Sequence, residues 1–588
     1  MVHAEHRAVA DELVDGWSIR IDWRAWAARP LTLLGWLALA ILLLLPVGCF
    51  LLLAVTPRLF DQGTNWLTLS SFGQVLSGPA IHGLADSLLV GVASAALALA
   101  IAGGLAWVTE RTTLVGRSIW ALLVWGLLLT PSYLAVFGWE TLVSPSALLY
   151  QTGLPVAPLT GFFFGPGGVI WILATKGVPF AYLAIAAALG GIGREYGDAA
   201  RVHGAGRLAA ARVLVAILAP ACWSALAIVF AESISDFGVA STVAASAHFP
   251  VATYTLYLAI DTMPIQFPVA AAVGWCLIAM AALALIVQYR ALRDRSYAVL
   301  SGRTRPAARR RLGLTGQILV GLAVALFFAL ALGVPAVGAV IASLLPASGH
   351  AGISSLTLAN YRRVLGTFSL IAPMLLSGRL AAITATLAVV GGAVLGRLIA
   401  RPHAGVLGRG IDMLLVGSLA LPSIVLAAGY IFAYNLPILA RLHVDLYGTL
   451  LLMQLAYLAA ALPTSSRLLV APWAQLQASV SDAARVHGAG PLQALRTAVI
   501  PLLLRGLVWV WLLTFAGTFL ELPISQLLYP PGQPPLSVGI MDHLANYDFA
   551  GGSALTILAA LSVVLLVAIV LGLLRLLAPE RWQRVAAR

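Results

Sequence analysis

A chain of 588 residues that is 61% hydrophobic and 10% charged, with a mean hydropathy of +0.96, has too little polar surface to be a set of soluble domains. Lipid is therefore the solvent for most of it. The net charge of +13 would suit nucleic acid, but the arginines sit in short segments between apolar runs, as cytoplasmic loops of membrane proteins do.

Residues 1–30 place Glu5, Asp11, Glu12 and Asp15 ahead of the first apolar run, unlike a secretory signal. Trp17, Trp23 and Trp26 among Arg20, Arg24 and Arg29 predict a cytoplasmic lead-in lying partly at the membrane surface. A hydrocarbon core about 30 Å thick needs roughly 20 apolar residues per helix. Windows of that kind fall near 31–55, 82–108, 118–139, 167–190, 213–237 and 267–289, then near 314–345, 372–398, 411–434, 447–468, 497–521 and 552–577. The expectation is an all-α polytopic membrane protein of about twelve spans in two parallel six-helix repeats. The first half covers 31–289 and the second 313–577, with a linker at 290–312 and a tail at 578–588.

The linker holds eight arginines between Arg290 and Arg311 against one acid, Asp294. Threading twelve spans puts it on the same side as Arg111, the 194–212 and 485–505 loops and the C-terminal arginines, which predicts that both termini are cytoplasmic. Cys49, Cys222 and Cys276 lie in or beside apolar segments without ligand spacing, which argues against disulfides and zinc.

The internal repeat carries the most information. Residues 198–206 and 482–490 both read DAARVHGAG, nine identities at an offset of 284. Each copy lies between the fourth and fifth spans of its half, on the arginine-rich side. Asp198, Ala199, Ala200 and Arg201 have the small-residue content of a compact helix, and Gly204 supplies a permissive turn. Asp482, Ala483, Ala484, Arg485 and Gly488 repeat the arrangement. The alanines let another surface approach closely, while Asp198 and Arg201, three apart, offer polar contacts on one face. Two equal elements on one membrane face suggest two equal docking sites for a soluble partner.

At this motif the chain resembles the permeases of binding-protein-dependent ABC importers, whose cytoplasmic motif runs Glu-Ala-Ala, three residues, Gly, nine residues and Ile-x-Leu-Pro. The second copy follows that spacing from Asp482 through Gly488 to Ile500-Pro501, with Asp for Glu and Ala498 for the first Ile. The first copy runs from Gly204 to Leu218-Ala219-Pro220, three residues longer. The resemblance extends over both six-span halves and implies a bacterial inner-membrane permease. It implies two copies of an ATP-binding cassette ATPase docked at the two motifs, and a periplasmic binding protein that delivers substrate. No P-loop of the form G-x-x-x-x-G-K-[ST] surrounds the one lysine, Lys176. ATP is thus expected on the partner subunits, with no cofactor and no enzymatic site in this chain.

Within that family, iron(III)-type fused permeases are similar at Ser235-Asp236-Phe237-Gly238 and at Leu527-Leu528-Tyr529-Pro530-Pro531-Gly532. Ferric iron is the substrate this suggests, with thiamine, 2-aminoethylphosphonate or polyamine as alternatives. Aligning Phe230-Ala231 with Phe515-Ala516 sets Asp236 opposite Glu521, and Glu232 stands one turn before Asp236. Such acids face a cavity, or they sit at helix ends bonding loop amides, which is the reading preferred here. Lys176, inside the fourth span, faces the pathway, snorkels, or pairs with an acid such as Glu232; the sequence leaves these open. No metal ligand set is assigned. The rival from another class is an ion-coupled secondary transporter with parallel repeats, which needs no ATPase and no matched docking motifs.

Overall fold

The computed structural model describes residues 36–143, 157–193, 199, 202–204, 206–244, 249–293, 309–346, 356–400, 405–443, 445–476 and 478–577. The lead-in, the tail and most of the linker lie outside the described residues. The chain is an all-α polytopic membrane protein. Among the described residues, nine helices are long and apolar enough to cross a membrane, or up to eleven spans if two bent pairs are counted. The bent pairs are Arg117–Leu129 with Ser132–Val143, meeting at 96°, and Gly408–Leu419 with Ser423–Tyr434, at 106°. Pro131 and Pro422 stand at the two breaks, where the ring removes a backbone donor and clashes with the preceding turn. The remaining window forms the helix Leu450–Ala474, in which Gln454 and the run Thr464 to Arg467 dilute the apolar stretch.

Two compact units are present: Met1–Pro46 with Ala382–Leu419 and Gln454–Phe515, and Val47–Ala381 with Ala420–Met453 and Ala516–Arg588. Polar side chains tie helices together inside the first. Gln454 donates to Thr384 Oγ1 at 2.6 Å, Trp511 to Thr386 Oγ1 at 3.1 Å, and Ser465 pairs with Thr514 at 3.0 Å. Such bonds hold helices where lipid offers no alternative partner. In the second unit, Ser132–Val143 packs against Val334–Leu344 with almost no intervening side chain. A Cβ on Gly138 would come within 2.6 Å of Pro335 Cα, so this crossing needs a residue without one.

The duplication runs deeper than the nine-residue repeat. Leu67-Thr68-Leu69-x-x-Phe72-x-x-Val75-Leu76 matches Leu356-Thr357-Leu358-x-x-Tyr361-x-x-Val364-Leu365 at an offset of 289. Each threonine caps the short helix that follows: Ser70 N–H donates to Thr68 Oγ1 and Ala359 N–H to Thr357 Oγ1, both at 3.1 Å. Val75 and Val364 are both fully buried. Single π-turns at Ala40–Leu44 and Ala329–Gly333 precede Pro46 and Pro335 in the first and seventh spans. A wider turn relieves the clash of each proline ring with the turn before it.

Candidate functional site

The second copy of the repeated motif forms the helix Ala478–Val486, closed by Gly488 at φ +83°. His487 N–H donates to Ala483 O at 3.2 Å, and Ala489 N–H reaches back to Ala484 O at 3.0 Å. That second bond, spanning five residues around a left-handed glycine, is a Schellman closure, which satisfies carbonyls the helix end would orphan. The first motif repeats it where described. Gly204 has φ +75°, and His203 N–H donates to Ala199 O at 3.2 Å. Asp198, Ala200 and Arg201 lie outside the described residues, and the side chains of Asp482 and Arg485 are likewise not described. Sequence reasoning passed over Val202 and Val486, which occupy the same motif position and are 82% and 85% exposed.

The following helices begin at Arg207 and Pro491, each directly after the second glycine of its motif. The longer spacing to Pro220 therefore does not displace the helix start; Pro220 lies inside a continuous helix. In the second half a π-turn at Leu495–Val499 takes up one extra residue. This is why the offset between halves is 284 at the motif and 285 at Phe230 and Phe515.

Asp236 is buried, its side chain 2% exposed. Lys176 Nζ donates to its Oδ2 at 2.6 Å, Ser132 Oγ reaches both oxygens at 2.9 and 2.7 Å, and Val239 N–H donates to Oδ1 at 2.8 Å. The lysine's partner is thus Asp236 and not Glu232. Glu232 is exposed one turn away and acts on Lys176 only through its charge. Glu521 plays the corresponding part in the second half: it accepts from Ile524 N–H at 2.9 Å and Ser525 N–H at 3.0 Å. Both acids therefore cap the turn that follows their span, as the amide-bonding reading expects. With Pro179 aligned to Pro463, Lys176 corresponds to Ala460, so this ion pair belongs to one half alone.

Two further pairs complete the correspondence. Ala252 N–H donates to Ser87 Oγ at 2.7 Å, and Leu536 N–H to Ser377 Oγ at 2.8 Å. Thr253 Oγ1 donates to the Asp236 carbonyl at 3.1 Å, and Ser537 Oγ to the Glu521 carbonyl at 2.5 Å. In each half a serine from the second span caps the short helix ahead of the last span, and the next hydroxyl ties that helix to the acid. No sequence identity marks these serines. Arg379 is an exposed cation within the eighth span, a signal that a scan for charges inside apolar runs would have found. Among the described residues, no group of three or more His, Cys, Asp or Glu could hold a metal ion.

A third cluster joins Ala359–Gly366, Leu536–Ala545 and the last span. Arg363 Nη2 donates to Asp548 at 3.0 and 2.8 Å, His543 Nδ1 lies 3.0 Å from Oδ2, and Gly551 N–H donates to Oδ1 at 3.0 Å. The His543 ring, the Gly551 amide and Arg363 hold the Asp548 carboxyl well below the usual carboxylate range. A folded-state pKa below the unfolded one stabilises at pH above the unfolded value of about 4, and the gain is lost as pH falls toward the folded value. The protection factors of the Ala359–Gly366 amides, which divide out the intrinsic pH dependence of exchange, should accordingly fall below about pH 4 in the unaltered chain. In an Asp548→Asn variant they should be low and insensitive to pH.

Residues 392–583 match the family described as the binding-protein-dependent transport system inner membrane component. The match takes in the second copy of the repeated motif and Glu521, and it supports an ABC-transporter permease. The chain is also 29% identical over 199 residues to Probable ABC transporter permease protein y4fN of Sinorhizobium fredii (strain NBRC 101917 / NGR234). That alignment spans 33% of this chain and 34% of the relative, so the chain covers about a third of the length of the curated relative it matches.

Proposed function

We infer that the chain is a fused two-half permease subunit of an ATP-driven, binding-protein-dependent importer, both halves forming one pathway across a bacterial inner membrane with both termini cytoplasmic. The observation that carries this reading is the twin glycine-closed turn. Gly204 and Gly488 adopt the same left-handed conformation, and Val202 and Val486 are left exposed at the same position of each copy. An exposed valine beside small residues, at the same position of both copies, offers an apolar contact that a close-fitting partner would bury. Two copies of an ATPase subunit, one at each motif, are the partner this supports. ATP binding would close that pair, and rigid motion of the motif helices would open the pathway.

Ferric iron is the leading substrate, supported by the Ser235–Gly238 and Leu527–Gly532 segments. Asp236 and Glu521 are already committed to Lys176, Ser132 and backbone amides, so iron would pass hydrated or chelated rather than ligated by them. One observation favours 2-aminoethylphosphonate as a second reading. Glu232 and Arg379 are both exposed within spans and of opposite sign, which suits a zwitterion.

The test is uptake of radiolabelled ferric iron into proteoliposomes holding this chain, its ATPase and its binding protein, with and without internal ATP. ATP-dependent accumulation is expected. Stimulated ATP hydrolysis without iron uptake would keep the importer and replace iron by the phosphonate. Uptake driven by an ion gradient without any ATPase would overturn the reading in favour of a secondary transporter.

A further inference from the structure

The Arg363–Asp548–His543 clasp has a counterpart in the first half from which every charge has been removed. The matched helices set Gln74 at the position of Arg363. Gln266 stands where Asp548 does, each directly before the phenylalanine that opens the last span of its half. The backbone confirms the pairing: Gln266 N–H donates to Ala259 O at 2.8 Å and Asp548 N–H to His543 O at 2.9 Å. Arginine, aspartate and histidine thus become Gln74, Gln266 and Ala259. Where the second half closes the corner with an ion pair, the first half keeps a cavity of about 800 Å³.

Among the described residues, no ionisable side chain lines this cavity. Its walls carry the carboxamides of Gln62, Asn65, Gln74 and Gln266 together with serine and threonine hydroxyls. Thr68 and Ser77 spend their hydroxyl protons on Ser70 and the Gly73 carbonyl. Gln62, Asn65, Gln74 and Gln266, whose carboxamides each bring an acceptor and two donors, are all exposed. An ion entering would shed water without meeting a counter-charge, and an apolar group would leave the amides unpaired. Vicinal hydroxyls, which donate and accept at once, match them. The volume falls within the range of small-molecule sites, about 300–1,000 Å³.

We propose that this cavity, on the side of the membrane that the arginine distribution predicts to be outer, binds a neutral polyhydroxylated group of saccharide size. The group comes either free in solution or on the headgroup of a glycolipid. The full chain in phosphatidylcholine nanodiscs is tested by saturation-transfer NMR with maltose, glucosamine and glucuronate. Transfer to maltose at least fivefold above that to either charged sugar is expected. The variant Gln74→Arg/Gln266→Asp, which installs the second half's ion pair, should abolish it while the thermal midpoint stays at or above that of the unaltered chain. Gln62→Ala/Asn65→Ala, which leaves both members of that pair unaltered, should weaken transfer without closing the corner. If digalactosyl diacylglycerol in the nanodisc suppresses the maltose signal, the site takes a membrane-tethered sugar; no suppression assigns it to a soluble one. No transfer to maltose in the unaltered chain, or equal transfer in both variants, overturns the proposal.

Discussion

Replacing Gly204 and Gly488 together by valine should abolish ATPase coupling while the chain still folds and inserts. Both glycines are left-handed, at φ +75° and +83°, and nothing lies within 4 Å of a Cβ added at either. The penalty is therefore backbone strain at the turn, not a clash in the core. Left-handed geometry costs an L-residue roughly 1–2 kcal/mol, and a β-branched one more. Since about 1.4 kcal/mol is tenfold in an equilibrium, each valine should depopulate its closed turn by about tenfold. Co-purification of the ATPase and substrate-stimulated ATP hydrolysis should fall by that factor for one change and nearly vanish for both. Gly488→Asn, whose side chain tolerates the left-handed region, should retain most coupling. Full coupling in the double valine variant would remove these turns from the docking surface.

Lys176→Met should destabilise the chain by about 3–5 kcal/mol, because it leaves Asp236 charged and buried with only neutral donors. Asp236→Asn should cost a comparable amount, since it leaves the Lys176 ammonium without its counter-charge. The double change Lys176→Met/Asp236→Asn should recover most of the loss. The asparagine carbonyl can still accept from Val239 N–H, and no buried charge remains. Unfolding midpoints of the three variants in nanodiscs give the coupling energy, expected to be about 2–3 kcal/mol for groups in direct contact. Additive losses would show that the two groups act independently. Glu232→Gln serves as the comparison: its exposed carboxylate touches Lys176 only through the field, so its midpoint should stay near that of the unaltered chain.

Much of this was legible in the chain itself. Apolar runs long enough to cross a bilayer located the helices, and nine identical residues at a fixed offset revealed the duplication and the glycine turn. The Leu-Thr-Leu repeat was equally present in the letters, although its substitutions hide it from a search for identity. Pro131 and Pro422 marked interruptions but not their size, because a proline forces a break without setting the angle across it. Glu232 and Asp236 stood one turn apart on the same helix, so helical spacing alone could not choose between them as the partner of Lys176.

Length, hydropathy and repeat therefore determined that the chain is a duplicated helical membrane protein with paired turns, because burial in lipid and left-handed glycine act through local composition. Tertiary structure decided which hydrogen bonds those helices make. Ser132 meets Asp236 across 104 residues and Ser377 meets Leu536 across 159. Such pairings depend on helices brought together in space, and a single serine in an apolar run carries no sign of the amide it will cap. The same holds for the two corners: an arginine and an aspartate nearly two hundred residues apart close one, two glutamines leave the other open, and only the folded chain sets them side by side for comparison.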